Sequence, residues 1–183
     1  MTAKKRCIFV VHCPVPATKQ VSSSSAFPCP SSSSPLVIDP SGVYFRPEGV
    51  EGQFLVGVSP EDDPDCHSDD ALNSPDFRLF DEIIWPVLSQ RVPAFEQLKM
   101  VSSWAGFYDY NTLDQNAIIG FHSEIKNLML CNGFSGHGLQ QSPAAGRAVA
   151  ELLSYGKYQS LDLSRFSFER IVDNKPVHET GIV

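Results

Sequence analysis

The chain has 183 residues, 42% of them hydrophobic, and a formal net charge of −7. This length and hydrophobic content suffice for a domain with a buried core, since single domains commonly hold ~100–200 residues. The acidic balance excludes nucleic acid as the expected partner, because phosphate binding needs a clustered basic face. No apolar run approaches the ~20 residues that span a bilayer, so no transmembrane segment is expected.

The cysteines indicate a reducing environment. They are odd in number and contain no C-x-x-C pair, which argues against a disulfide framework and a zinc knuckle, so no metal site is expected. We predict reduced thiols in an intracellular compartment. The five are Cys7, Cys13, Cys29, Cys66 and Cys131.

The amino-terminal residues predict a strand followed by an insert. No acidic residue precedes Asp39, which imitates an organelle transit peptide, but only one arginine is present. Residues 6–12 instead have the β-branched and aromatic density of a buried strand. Residues 21–35 are rich in serine and proline, and we predict a disordered insert there.

Three short β-rich runs follow, at residues 35–39, 42–46 and 53–58. Turn signals separate them at Pro40–Gly42 and Pro47–Gly49, which predicts an antiparallel meander. The acidic stretch from Glu61 to Glu82 is expected to be a solvated loop. A calcium loop is the alternative, but the central glycine and the terminal glutamate are not at the required offsets.

A helix is predicted from Asp76, with Pro86 causing a kink or an early stop. Strand character returns from Gln97 to Tyr108 and again from Ala117 to Gly120. A buried strand is predicted over Asn127–Asn132.

A glycine-rich turn, Gly133–Gly138, follows that strand and leads into a helix predicted over Gln140–Ser154. Pro143 is expected in the first helical turn, where a missing amide is tolerated. Glycines allow close backbone approach, and the free amides of a helix start suit an anionic group. A tight connection without a ligand remains the equal alternative.

The turn also resembles a serine-hydrolase nucleophile elbow centred on Ser135, with Asp162, Asp173 and His178 following in a suitable order. That arrangement needs a small residue two positions after the nucleophile, where strand and helix crowd together. His137 is large, so the hydrolase is a minor alternative.

Several of these segments together resemble a known family. The segments Asp114–Gly120, Asn127–Leu130, Gly133–Gly138 and Pro143–Glu151 are similar, in order and spacing, to the carboxy-terminal signature of the D-amino-acid oxidase and sarcosine oxidase/dehydrogenase superfamily. The resemblance implies an α+β fold. An antiparallel or mixed sheet of a substrate-binding domain, with flanking helices, would be joined to the last strand, turn and helix of a Rossmann-like FAD-binding domain.

The resemblance also implies a domain order. Residues 1–20 would be a strand of the substrate-binding domain, 21–35 the insert, 36–121 the rest of that domain, 122–155 the terminal strand, turn and helix, and 156–183 a carboxy-terminal tail. The G-x-G-x-x-G turn and amino-terminal βαβ unit of the family are not found. We therefore expect a carboxy-terminal portion that is inactive by itself.

The implied cofactor is FAD. By position, the residues that would line the flavin are Gly133, Ser135, Gly136, His137, Gly138 and Leu139, with His137 beside the ring. Phe107 occupies the place where some relatives attach FAD through cysteine, which implies noncovalent binding. The implied substrate is a small amine or amino acid.

At the substrate side this chain departs from the pattern of its relatives. Sarcosine-oxidase-like relatives hold the substrate carboxylate with a lysine where this chain has Gln140, which offers hydrogen bonds without charge. Tyr108 is a weaker candidate for the substrate pocket, since aromatic residues on strands are more often core. No catalytic residue is assigned.

Within the superfamily the resemblance is strongest to a mitochondrial member linked to the assembly of respiratory complex I. It implies a mitochondrial location and, as possible partners, complex I subunits or assembly factors. The alternative function is therefore a binding or assembly factor that keeps the flavoprotein fold without catalysis.

Overall fold

The computed structural model describes residues 1–14, 29–60 and 68–178. The chain divides into two compact units. The larger unit comprises Lys5–Phe107, and the smaller unit comprises Met1–Lys4 together with the described chain from Tyr108 onward.

A five-stranded sheet with the order β2-β3-β4-β1-β5 organises the larger unit. Neighbouring strands from β2 through β3 and β4 to β1 are antiparallel, which confirms the predicted meander and the α+β fold. Its strands are β1 (Thr2–His12), β2 (Val37–Ile38), β3 (Tyr44–Pro47), β4 (Gln53–Gly57) and β5 (Lys99–Tyr110).

The core of the larger unit follows from the two-residue period of these strands. In β1, Cys7, Phe9 and Val11 are buried on one face. Phe45, Phe54 and Phe95 form an aromatic cluster. Their ring centroids are 6.0 Å apart for Phe45 and Phe54, 5.1 Å for Phe45 and Phe95, and 5.0 Å for Phe54 and Phe95. Such edge-on pairs add to the free energy of burial.

A helical segment covers this core face. It begins with a π-helical turn, Leu79–Ile84, and continues as α1 (Trp85–Arg91). Phe80, Ile84 and Leu88 are its buried residues, and Phe80 lies 5.6 Å from Phe9 between ring centroids. Of the two alternatives predicted at Pro86, a kink or an early stop, the early stop does not occur, because this proline lies at the junction of the two helical registers, where its missing amide is accommodated.

Short 3-10 segments lie at Asp69–Asn73 and Pro93–Gln97. No helix of the described ranges is long and apolar enough to cross a membrane. Four of the cysteines are described, all as free thiols: Cys7, Cys13, Cys29 and Cys131.

In the smaller unit, an antiparallel hairpin of β6 (Ile118–Phe121) and β7 (Met129–Asn132) precedes α2 (Gly138–Tyr155). Its apolar cluster is small and centres on Ala117, Ile119 and Ala145. A 3-10 turn, Ser164–Phe166, and the short α3 (Glu169–Val172) follow.

Helix α2 starts earlier than predicted, so Pro143 lies inside it, beyond the first turn. Proline leaves the carbonyl four residues back, that of Leu139, without its helical donor. The Ser142 hydroxyl donates to this carbonyl oxygen at 2.9 Å. A neighbouring side chain thus replaces the bond that Pro143 removes.

The carboxy-terminal tail is anchored to α2. Glu151 accepts hydrogen bonds from the amides of Gln159 (2.7 Å) and Ser160 (3.1 Å) and from the Ser160 hydroxyl (2.6 Å). These bonds, the Ser160 hydroxyl first, lower the pKa of Glu151.

The domain boundaries stay predictions. Residues 21–28 of the predicted insert lie outside the described residues, and Ser34 donates to the Ser31 carbonyl at 3.0 Å in the described remainder. The predicted boundary at 121/122 falls within the β6–β7 hairpin, whereas the compact units divide between Phe107 and Tyr108.

Candidate functional site

The turn between β7 and α2 depends on unusual backbone conformations. Gly133 (φ 74°), Ser135 (φ 50°) and Gly136 (φ 91°) all have left-handed φ angles. At Gly133 an added Cβ would lie 2.7 Å from the Met1 Sδ, so the flexible Met1 side chain would have to move. Glycine adopts the left-handed conformation without strain, while Ser135 must be held in place by its surroundings.

Asp109, at the end of β5, holds the first half of this turn. Its carboxylate accepts the amides of Gly133 and, at 3.3 Å, Phe134. Its backbone carbonyl accepts the Ser135 amide at 3.1 Å. The His137 amide donates to the Phe134 carbonyl at 2.9 Å. The amides of Gly133, Phe134, Ser135 and His137 are therefore already used within the protein and are not available to a ligand.

The remaining amides of the turn and of the helix start, those of Gly136, Gly138, Leu139 and Gln140, have no hydrogen-bond acceptor among the described residues, and we call them the outward amides. Three of them belong to the first turn of the 18-residue α2, where the helix dipole is positive. Gly136 is exposed, with open space where a Cβ would be. This edge can receive an electron-rich acceptor group.

The side chains of the turn also fall into two groups, one buried within the protein and one partly or fully exposed. The Ser135 hydroxyl is buried, accepts the Asn111 amide at 2.9 Å and lies 3.4 Å from the Gly133 carbonyl oxygen. A nucleophile elbow needs an exposed hydroxyl, so the geometry opposes the hydrolase alternative. His137 is half-buried, Gln140 is exposed, and Leu139 is 89% exposed.

The Tyr108 side chain projects from the face of β5 that is opposite to the glycine turn. Side chains alternate along a strand, so Tyr108 and Tyr110 project to the opposite side of β5 from Asp109, which bonds the turn. The two tyrosine rings lie 6.2 Å apart between centroids. The substrate role of Tyr108 stays a prediction.

A buried polar network lies behind the turn. Asn111 donates its amide to Ser135, and its side-chain Nδ2 donates to Asp114 at 3.2 Å and to the Asn116 carbonyl at 2.6 Å. Arg170 forms a two-pronged ion pair with Asp114 at 2.9 and 3.1 Å. The residues of this network therefore have their polar groups paired.

Asp114 is the centre of this network. Burial alone would raise its pKa, but hydrogen bonds from Arg170 and from the amides of Val177 and Asn116 outweigh burial and lower it. The Val177 amide donates to it at 2.9 Å. Asp114 is therefore a structural anion rather than an acid or base for catalysis.

Sequence reasoning missed the residues that support the turn. Asp109 and Asp114 carry a sequence signal only as loop carboxylates, which predict solvated or capping groups. Arg170 is 56 residues from Asp114, and no local pattern connects them. In the described ranges, no group of three His, Cys, Asp or Glu side chains could hold a metal ion.

Comparison with known proteins supports the fold. Residues 2–152 match the family model described as FAD dependent oxidoreductase (DAO). The chain is 48% identical over 182 residues to FAD-dependent oxidoreductase domain-containing protein 1 of Xenopus laevis, covering 98% of this chain and 33% of that protein. The chain thus spans about a third of the length of this relative.

Two more distant comparisons concern named enzymes. Over 71 residues, which are 39% of the chain and 18% of the relative, the chain is 37% identical to monomeric sarcosine oxidase of Bacillus sp. (strain B-0618). The crystal structure of L-proline dehydrogenase from P. horikoshii superposes with a TM-score of 0.73 at 23% identity, covering 96% of this chain and 41% of that one. This last likeness shows the fold. With its family match over residues 2–152, the chain belongs to the FAD-dependent oxidoreductase (DAO) family.

Proposed function

We propose that this chain forms the substrate-side sheet and one flavin-contacting edge of an FAD-dependent oxidoreductase that acts on a carbon next to an amine nitrogen. The observation that carries the proposal is the set of outward amides at Gly136, Gly138, Leu139 and Gln140. They lie in the segment that resembles the second flavin contact of the family.

The residues present fit a flavin. The pyrimidine side of the isoalloxazine carries carbonyl oxygens and gains negative charge on reduction, and amides at a helix start stabilise such groups. The open space over Gly136 would admit a flat ring, because no side chain fills it. His137 would lie beside the ring. Phe107 has no nucleophilic atom, which supports noncovalent binding.

The protein would contribute orientation and polarity. FAD, when bound, supplies a hydride acceptor. The outward amides would hold its pyrimidine edge, and Asp109 keeps the preceding amides in place. Because such dipoles are fixed before the reaction, they stabilise developing negative charge without reorganising.

A neutral side chain at the expected carboxylate position suggests the substrate class. Gln140 is exposed at the start of α2 and could donate a hydrogen bond, but it cannot form an ion pair. Sarcosine and proline, the compounds in the names of two similar proteins, are both secondary amines. We therefore propose a secondary amine as substrate, with weaker dependence on its carboxylate than a lysine would give.

The test is flavin retention. FAD is added to the purified chain, alone and co-purified with the part of the Xenopus laevis relative that the chain does not match, and absorbance is recorded after gel filtration. We expect flavin to be retained only by the combined protein, because the diphosphate-binding turn of the family is not found in this chain. Loss of flavin from both preparations would contradict the proposed function.

A non-catalytic role is the second candidate, and Gln140 in place of a lysine favours it. In that case the chain belongs to a mitochondrial binding or assembly factor that contacts respiratory complex I subunits or assembly factors, as its family resemblance suggests. Retained flavin without turnover of sarcosine-like amines would support this role. Turnover of such amines would contradict it.

A further inference from the structure

The segment after α2 contributes Arg170 to the buried polar network behind the glycine turn. The family match ends at residue 152, and Arg170 lies beyond it. The Arg170 guanidinium donates to both oxygens of Asp114, to the Asn116 carbonyl at 3.0 Å, and to the carbonyls of Phe166 and Ser167 at 2.9 and 3.2 Å. Only an arginine fork can make this set of bonds.

A continuous chain of hydrogen bonds runs from this fork to the turn. Arg170 holds Asp114, Asp114 accepts from the Asn111 side chain, and the Asn111 amide donates to the Ser135 hydroxyl. All its members are almost fully buried: Arg170 (6%), Asp114 (8%), Asn111 (3%) and Ser135 (6%). Because these groups are buried, a hydrogen bond lost within the series is costly to replace.

Ser135, at the end of this series of hydrogen bonds, has a backbone conformation that its surroundings must hold in place. Ser135 has a left-handed φ of 50° and is not a glycine, so its conformation is costly. A strained residue persists when its surroundings over-determine it. Its hydroxyl is fixed by Asn111 and its amide by Asp109. Gly136, the first outward amide, is the next residue and takes its direction from Ser135.

We infer that Arg170 is a positioning residue: through Asp114 and Asn111 it holds Ser135 left-handed and so sets the direction of the outward amides. The identity of the ligand as a flavin rests on the proposed function. The positioning itself does not, since it concerns the protein's own hydrogen bonds.

The test compares two conservative changes in one segment. Arg170→Lys keeps the charge but loses the fork, whereas Arg165→Lys changes an exposed arginine outside the network. Amide hydrogen exchange of the full chain is measured at the hydrogen-bonded amides of Asn111 and of the turn, which are those of Gly133, Phe134, Ser135 and His137. We expect Arg170→Lys to speed exchange there about tenfold, as loss of a charge-assisted hydrogen bond would, with no change in Arg165→Lys.

A second control separates positioning from general destabilisation. Glu151→Gln weakens the anchor of the tail on α2 without touching the network. Exchange that rises at the turn in Arg170→Lys but not in Glu151→Gln supports the inference. Unchanged exchange at the turn, an equal rise throughout residues 108–178, or the same pattern in Glu151→Gln would overturn it.

The coupling between Arg170 and Ser135 in flavin affinity provides a readout that a purely structural role of Arg170 would not produce. In the preparation that retains FAD, the dissociation constant and the shape of the visible flavin band are compared for Arg170→Lys, Ser135→Ala and the double variant. Because Arg170 and Ser135 belong to one series of hydrogen bonds, we expect each single variant to raise the dissociation constant of FAD. The double variant should have the same dissociation constant as Ser135→Ala. Additive effects would overturn the inference. If no preparation retains FAD, the proposed function fails, and hydrogen exchange still decides the positioning role.

Discussion

At the scale of single residues, Gly57 shows how a missing side chain shapes the sheet. Gly57 in β4 is opposite Tyr44 in β3, and an added Cβ would lie 2.6 Å from the Tyr44 Cζ and clash with the hydroxyl. The tyrosine ring therefore lies across the glycine. Burial raises the pKa of Tyr44, in keeping with this position.

We predict that Gly57→Ala destabilises the protein by about 1–3 kcal/mol, because the ring must move out of its place. Gly106→Ala is the matched control in the same sheet, since nothing lies within 4 Å of its added Cβ. The free energy of unfolding in urea measures both. Equal effects of the two changes would show that the Tyr44 contact is unimportant.

A second prediction at this scale concerns Asp114. Asp114→Asn leaves the guanidinium of Arg170, whose side chain is 5% exposed, without its anion. Breaking a buried pair from one side costs about 3–5 kcal/mol. The control is Asp173→Asn, which removes an exposed ion pair with Lys175 and should cost at most about 1 kcal/mol. A urea unfolding free energy for Asp114→Asn close to that of Asp173→Asn would contradict the prediction.

At the scale of elements, α2 carries both the outward amides and an internal proline. The Ser142 hydroxyl substitutes for the amide that Pro143 lacks. The helix can therefore start at Gly138 and direct its first free amides outward without losing the bond to Leu139. The start of this helix is a joint property of neighbouring residues and of the turn before it.

The proline compensation gives a prediction with an internal control. Ser142→Ala should lower the free energy of unfolding by about 0.5–1 kcal/mol, because the Leu139 carbonyl loses its donor. In a Pro143→Ala background the backbone amide returns, so the same change should have no effect. Thermal unfolding of the four proteins measures this double-mutant cycle. Equal effects in both backgrounds would contradict the proposed compensation.

At the scale of the whole molecule, the two units are stabilised by different means. The larger unit buries a continuous apolar cluster that includes Phe9, Phe54 and Phe95. The smaller unit has a small apolar cluster and, in addition, the buried network around Asp114. Its stability should therefore depend more strongly on charge.

This difference predicts how acid affects the chain. The folded-state pKa of Asp114 is lowered, so its contribution is present above the unfolded pKa of about 3.9 and is lost as pH falls through the folded value. Below about pH 4, amides of the smaller unit should lose hydrogen-exchange protection before those of the larger unit. Simultaneous loss in both units would contradict this prediction.

Much of the architecture is predictable because its causes are local. The alternation in β1, the glycines of the turn and the apolar face of α2 each reflect a fixed period or a required φ angle. The meander follows from turn residues between β-rich runs. The structure differs from the prediction at Pro86, where the helix does not stop, and at Pro143, which lies beyond the first turn of α2. A π-helical turn precedes the first proline, and a serine hydroxyl compensates for the second.

By itself, the sequence determined the family, the α+β class and the position of the glycine turn, because these depend on residues adjacent along the chain. Only the tertiary structure decided which amides of the turn remain available. Which amides remain available depends on two long-range contacts. Asp109 accepts the amide of Gly133, 24 residues later in the sequence, and Arg170 donates to Asp114, 56 residues earlier. Such pairings arise from the path of the folded chain, and hydrophobic or turn periodicity carries no signal for them.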